Sequence, residues 1–149
     1  MTVILRRAVL DDAAGIVRCI DAAYAPYLSA GLKLPAVSEG VGDDIQDNLV
    51  WVLESSQRIV GCLIVVAADD IWHLANVAVH PDFSGLGLGK RLIGTCVDAA
   101  QLAGAHHIRL ATHAAMPSNV ALYTRLGWAV TQQDDIRIQM SRPISITDT

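Results

Sequence analysis

Cysteine is scarce in this 149-residue chain: Cys19, Cys62 and Cys96 are odd in number, widely spaced, and include no CxxC pair. That pattern argues against a disulfide framework and a cysteine-based zinc site, and it fits a reducing cytoplasm. Long apolar runs are also missing. Although 52% of the residues are hydrophobic, no run approaches the roughly 18 residues that cross a bilayer. The opening Met1-Thr2-Val3-Ile4-Leu5-Arg6-Arg7 lacks a secretory signal's order of basic region, apolar core and small-residue cleavage site. Basic clusters are absent and the formal net charge is −4, so neither nucleic acid nor a membrane is an expected partner. No repeat, linker or low-complexity segment divides the chain. A single soluble, cytoplasmic domain over residues 1–149 is expected, long enough to bury roughly two-thirds of its unfolded surface.

The periodicities present predict an ordered set of elements. Residues 3–7 read as a strand, and Asp11 and Asp12 open a helix whose Ala13, Ile16, Val17, Ile20 and Ala23 recur at helical spacing. Across residues 24–48, Pro26, Gly31, Pro35, Gly40 and Gly42 break any long element, which predicts a short helix and a loop. Residues 50–54 and 58–67 form a hairpin, and the chain returns as a strand over Ile71 to Val79. A helix over 88–103 ends at Gly104, a strand covers 107–112, a helix begins at Pro117 or Ser118, and 128–132 and 136–140 close a last hairpin. This order predicts an α/β (α+β) protein: a mixed sheet of six to seven strands with helices on both faces, in which 71–79 and 107–112 run parallel because a helix crosses between them. An exposed edge strand near Ile136 to Met140 would suit a homodimer.

The most informative stretch runs from Asn76 to Leu92, where an apolar strand meets a loop holding Gly85, Gly87 and Gly89 that opens a helix. Alternate glycines let successive backbone N–H groups converge, and the helix dipole favours an anion there. A P-loop is excluded, because Ser84 stands at its first glycine position and Arg91 follows Gly89-Lys90. A dinucleotide fingerprint fails as well, since its last glycine falls on Lys90. What remains is an acyl-CoA pyrophosphate loop. Here the chain resembles the GNAT superfamily of acyl-CoA-dependent N-acyltransferases, whose signature is Gln or Arg, two residues, Gly, one residue, then Gly or Ala. Gly87 and Gly89 match and Ser84 replaces the Gln or Arg. Asn119, Tyr123 and the Leu126-Gly127-Trp128 tail match the family's later motif.

The resemblance implies an N-acetyltransferase that uses acetyl-CoA and an amine acceptor, small molecule or protein, with the two parallel strands splayed around the acyl-pantetheine arm. It implies cofactor binding by Val77, Ala78, Val79, Ser84, Gly85, Leu86, Gly87, Leu88, Gly89, Lys90, Asn119 and Tyr123. Amine attack on a thioester needs an N–H donor for the oxyanion, a proton for the leaving thiolate and a neutral amine. By the same carry-over the Val77 N–H polarises the carbonyl and Tyr123 supplies the proton. As base the residues suggest His73, which strand alternation places on one face with Ala75 and Val77. Glu39, Asp43 and Asp44 are alternatives in the covering loop. A plainer reading stands beside each: Tyr123 as a core tyrosine, Asn119 as a helix cap, Lys90 and Arg91 as solvated charges, His73 as a structural histidine.

Cys62 and Cys96 fall in a strand and in an apolar helix stripe, so no nucleophile suggests itself and direct transfer is expected. His106, His107 and His113 hold no metal on this reading, because neighbouring strand residues face opposite ways and no cysteine or carboxylate completes a set. A non-catalytic acyl-CoA-binding sensor or structural module is the rival to the enzyme.

Overall fold

The computed structural model describes residues 2–33 and 38–144. Among them the order is β1 (Ile4–Arg7), α1 (Ala13–Ser29), α2 (Val41–Asp47), β2 (Leu49–Ser55), β3 (Arg58–Val66), β4 (Ile71–Val79), α3 (Leu88–Leu102), β5 (His107–His113), α4 (Pro117–Arg125), β6 (Ala129–Gln133) and β7 (Arg137–Pro143), with 3-10 turns at Leu10–Asp12 and Pro81–Phe83. The strands form one sheet in the order β1-β2-β3-β4-β5-β7-β6. As expected it is mixed: β4 and β5 are parallel, and the remaining neighbours are antiparallel.

Two cores flank the sheet. Ile16 and Ile20 of α1 pack with Val50, Val52, Cys62 and Ile64 on one face; Leu92, Ile93 and Cys96 of α3 pack with Leu53, Leu63, Val65, Ile108 and Met140 on the other. Residues 60–65 of β3 are buried without alternation, because helices cover both faces of that central strand. No helix of the described residues is long and apolar enough to cross a membrane.

The expected break at Pro26 does not occur. Helix α1 continues to Ser29, with Pro26 in its last turn, where one helical hydrogen bond is lost and the Pro26 carbonyl still accepts the Ala30 N–H at 3.1 Å. The short helix expected in this region is α2, while the expected loop includes residues 34–37, which lie outside the described residues. The exposed edge is also displaced from 136–140. Strand β7 pairs with β5 on one side and β6 on the other, so the edge is β6, all of it exposed.

The feature that shapes the site is a β-bulge. Ile64 pairs with Asn76 and Val65 with Leu74, leaving Ala75 as an extra residue in β4. A bulge bends its strand, and here β4 leaves β5 after only three pairs, Ile71 with His107, Trp72 with Ile108 and His73 with Arg109.

Candidate functional site

Where β4 and β5 part, a cleft of about 330 Å³ passes through the sheet, reached from one face by Tyr24 and Tyr27 of α1 and from the other by Ile93, Leu122 and Tyr123. Val77, Ala78, Val79, Ser84, Gly89, Asn119 and Tyr123 all line it, so residues picked from two distant motifs come together in one place. Beyond His73 the β4 edge facing β5 has no strand partner among the described residues. An extended ligand arm can pair alongside this stretch in the manner of an added strand.

At one end of the cleft lies the glycine loop. Gly85 and Gly87 adopt left-handed conformations at φ 76° and 75°, which cost a side-chain-bearing residue roughly 1–2 kcal/mol. The first hydrogen bond of α3 runs from the Arg91 N–H to the Gly87 carbonyl at 3.1 Å. The N–H groups of Gly85, Leu86, Gly87, Leu88, Gly89 and Lys90 therefore stand without a partner among the described residues. Six successive donors without a partner among the described residues, at the positive end of a 15-residue helix, are suited to an anion. Lys90 is exposed beside them, whereas Arg91 is turned away, donating to the Val3 carbonyl at 3.2 Å.

Deeper in the cleft stands Tyr123. Its ring meets Trp128 edge to face at 5.5 Å between centroids, and the residue is only 8% exposed. Burial pushes its phenol well above the ordinary tyrosine range, with Tyr24 and Cys96 nearby adding to the effect, so it stays protonated at any working pH. No hydrogen bond to the hydroxyl is present among the described residues. Asn119 does not cap α4, whose N-cap is Met116; among the described residues its amide nitrogen hydrogen-bonds only the Met116 sulfur, at 3.5 Å, a weak acceptor that leaves most of the carboxamide's capacity unused. The Tyr24 hydroxyl donates to Asn76 Oδ1 at 3.4 Å across the cleft.

His73 is not where alternation puts it. Trp72 and Leu74 lie in the same core as Val77 and Val79, because the extra residue at Ala75 resets the alternation. His73 therefore faces away from Val77 and lines an adjoining groove that meets the cleft at Leu110. Burial, and after it the charge of Arg137, holds its imidazole pKa below the ordinary value. Glu39, Asp43 and Asp44 do not line the cleft; Asp44 instead accepts the Asn48 side-chain N–H at 2.9 Å at the end of α2. Tyr24, Tyr27 and Asn76 were not singled out from sequence, although Tyr24 and Tyr27 continue the apolar stripe of α1. Among the described residues no group of three side chains could hold a metal.

The acetyltransferase (GNAT) family model matches residues 21–128. The chain belongs to the GNAT family. A mycothiol acetyltransferase from Acidothermus cellulolyticus is 30% identical to this GNAT chain over 122 residues, 68% of the chain and 36% of that relative. An L-amino acid N-acyltransferase, MnaT, from Escherichia coli is 34% identical over 58 residues, 39% of the chain and 34% of that relative. The matches thus span about a third of the length of these curated relatives. In fold, the chain is similar to the PaiA N-acetyltransferase from Thermoplasma acidophilum in complex with coenzyme A, with TM-score 0.83, 16% identity and coverage of 96% and 99% of the two chains. It is similar also to the ribosomal-protein-S18-alanine N-acetyltransferase from Escherichia coli, with TM-score 0.78, 20% identity and coverage of 98% and 96%.

Proposed function

We propose that this chain is an acetyl-CoA-dependent N-acetyltransferase that moves the acetyl group directly to an amine on a small molecule or a protein. One observation carries the reading: Ser84 and Gly89 bring the glycine loop, with its backbone donors that have no partner among the described residues, to the same cleft that Tyr123 and Asn119 line. Acetyl-CoA fits these residues and would supply an activated acetyl thioester. The donors of residues 85–90 hold its pyrophosphate and the β4 edge beyond His73 holds its pantetheine arm. Ser84 lends no positive charge, so the backbone and Lys90 carry the anion. The Val77 N–H polarises the thioester carbonyl, and Tyr123 gives a proton to the departing sulfur. Burial raises the tyrosine, but it also makes a thiolate in the same cleft a stronger base, which keeps the transfer matched. His73 takes the amine's proton through water, being neutral at neutral pH. Direct transfer is favoured because burial pushes the Cys96 thiol up to about 12 and raises Cys62 too, through its hydrogen bond with Cys19 and its burial. Cys19 lines a separate groove.

The reading is tested by coenzyme A thiol release from acetyl-CoA across a panel of amines. Release stimulated by one amine class is expected; tight acetyl-CoA binding with no stimulation by any class would leave a sensor instead. Gly87→Val puts a branched residue in a left-handed conformation with its Cβ in open space, where the pyrophosphate must approach. The dissociation constant for acetyl-CoA should rise about tenfold, the equivalent of 1.4 kcal/mol at a left-handed position, and an unchanged titration would rule the loop out.

The His73 assignment predicts a pH profile. A lowered pKa keeps the imidazole neutral, and so basic, further into acid than an ordinary histidine near 6.5. The acid limb of kcat/KM should therefore lie at lower pH than the limb of an ordinary histidine, and His73→Gln should remove that limb. A profile identical in the variant would assign the limb to another group.

A further inference from the structure

The groove on the far side of Leu110 is not explained by the reaction centre alone. The β5-β7-β6 half of the sheet is packed on one face around Trp128 and Tyr123, while its other face holds a groove of about 550 Å³ with His73, His107, Arg109, Arg137, Gln139 and Ser141 in its wall. Every titratable group in that wall is a cation or becomes one on protonation, in a chain of net charge −4. Neither guanidinium makes an ion pair or a side-chain hydrogen bond among the described residues. Asp134 on the same hairpin accepts the backbone N–H groups of Ile136 and Arg137 at 2.8 and 2.7 Å, and its carboxylate feels the Arg137 charge without forming an ion pair with it.

Position adds to charge. His73 and Arg109 form the last pair before β4 and β5 separate, so the groove begins where the cleft opens, and Leu110 lines both. Unpaired like charges along one wall repel each other and are stabilised by an anion, and an arginine fork matches a carboxylate in both shape and charge. A purely cationic acceptor such as a polyamine would meet repulsion here.

We propose that this groove is the acceptor subsite and that the acceptor is an α-amino acid, its carboxylate held by Arg109 and Arg137 while its amine faces the cleft. The proposal rests on the transferase reading, but its test does not require turnover. In protein without acetyl-CoA, the His73 imidazole, identified by the loss of its signal in His73→Gln, is titrated by NMR with each of the twenty standard L-amino acids and each corresponding carboxamide. At least one amino acid, and not its amide, should raise the His73 pKa by placing a negative charge beside it. The ligand-induced rise should disappear in Arg109→Gln and Arg137→Gln. In steady-state assays the same amino acid should be preferred over its amide at least tenfold in kcat/KM. Each arginine variant should raise KM for the acid about tenfold with kcat retained, and leave the amide unchanged.

If amino acids shift His73 but none accepts acetyl, the groove binds carboxylates without being the acceptor subsite and the proposal fails, while the transferase reading stands or falls on the amine panel. If no amino acid shifts His73, or if amides are used as well as acids, the proposal fails. It fails equally if Arg109→Gln turns a dimer into a monomer in sedimentation while amino acids have no effect, since the groove would then face a second copy of the chain.

Discussion

Replacing Tyr123 by Phe is expected to lower the rate of acetyl transfer about 10²-fold or more, within the range that removal of a positioned proton donor ordinarily produces, while acetyl-CoA affinity changes little. The separation of the two effects follows from the surroundings. The ring packs on Trp128 and is nearly buried, and Phe preserves both contacts, so the cleft keeps its shape. The hydroxyl has no protein partner among the described residues to leave unsatisfied, so its removal costs the fold nothing comparable to an orphaned buried group. What is lost, on the proposed mechanism, is the proton for the departing sulfur. Stopped-flow measurement of thiol release, beside calorimetric titration of acetyl-CoA, distinguishes the outcomes. A rate within threefold of wild type would remove Tyr123 from the chemistry and leave it as a core residue. Weakened binding with a normal rate would make it part of the cleft wall only.

Much of this site was legible because its signals are local. The glycine loop and α3 are read from adjacent residues: Gly85 and Gly87 supply the left-handed turns, and Leu92, Ile93, Cys96 and Ala100 supply a helical stripe that is buried. The apolar run of β3 likewise announces a strand covered on both faces. What escaped depends on pairing between distant segments. Whether β6 or β7 lies beside β5 is set by neither strand's own pattern, and the hairpin inserts its second strand inward. Proline at 26 carries a strong local preference, yet the stripe reaching Tyr24 and Tyr27 keeps α1 intact to Ser29. His73 was misplaced for a subtler reason. Counting by twos from Val77 reaches Ala75 and His73, but the β4 residues that pack in the α3-side core fall at 72, 74, 77 and 79, and the one odd interval among these four marks the bulge.

That interval makes deletion of Ala75 the sharpest test of how fold and function separate in this sheet. Removing it leaves Trp72, Leu74, Val77 and Val79 at uniform spacing on one face, so the residues that pack against α3 keep their direction. The core should survive, with a melting temperature within about 5 °C of wild type, equivalent to a change of one or two kcal/mol for a chain of this size. The strand, however, loses its bend. A straight β4 can extend its ladder with β5 beyond the His73–Arg109 pair, so that β5 occupies the backbone edge proposed for the ligand arm. Losing two such hydrogen bonds, at roughly 0.5–1.5 kcal/mol each, corresponds to about a 5- to 150-fold weaker affinity for acetyl-CoA, and transfer should fall with it. Ala75→Ser, close to Ala in size at this cleft-lining position, retains the extra residue and serves as the control, with affinity close to wild type. A deletion variant that binds acetyl-CoA normally would show that the strands part for another reason. One that no longer folds would show that the register with β3 depends on the extra residue itself, because in that case the apolar spacing at 74 and 77 does not suffice to hold the strand in place.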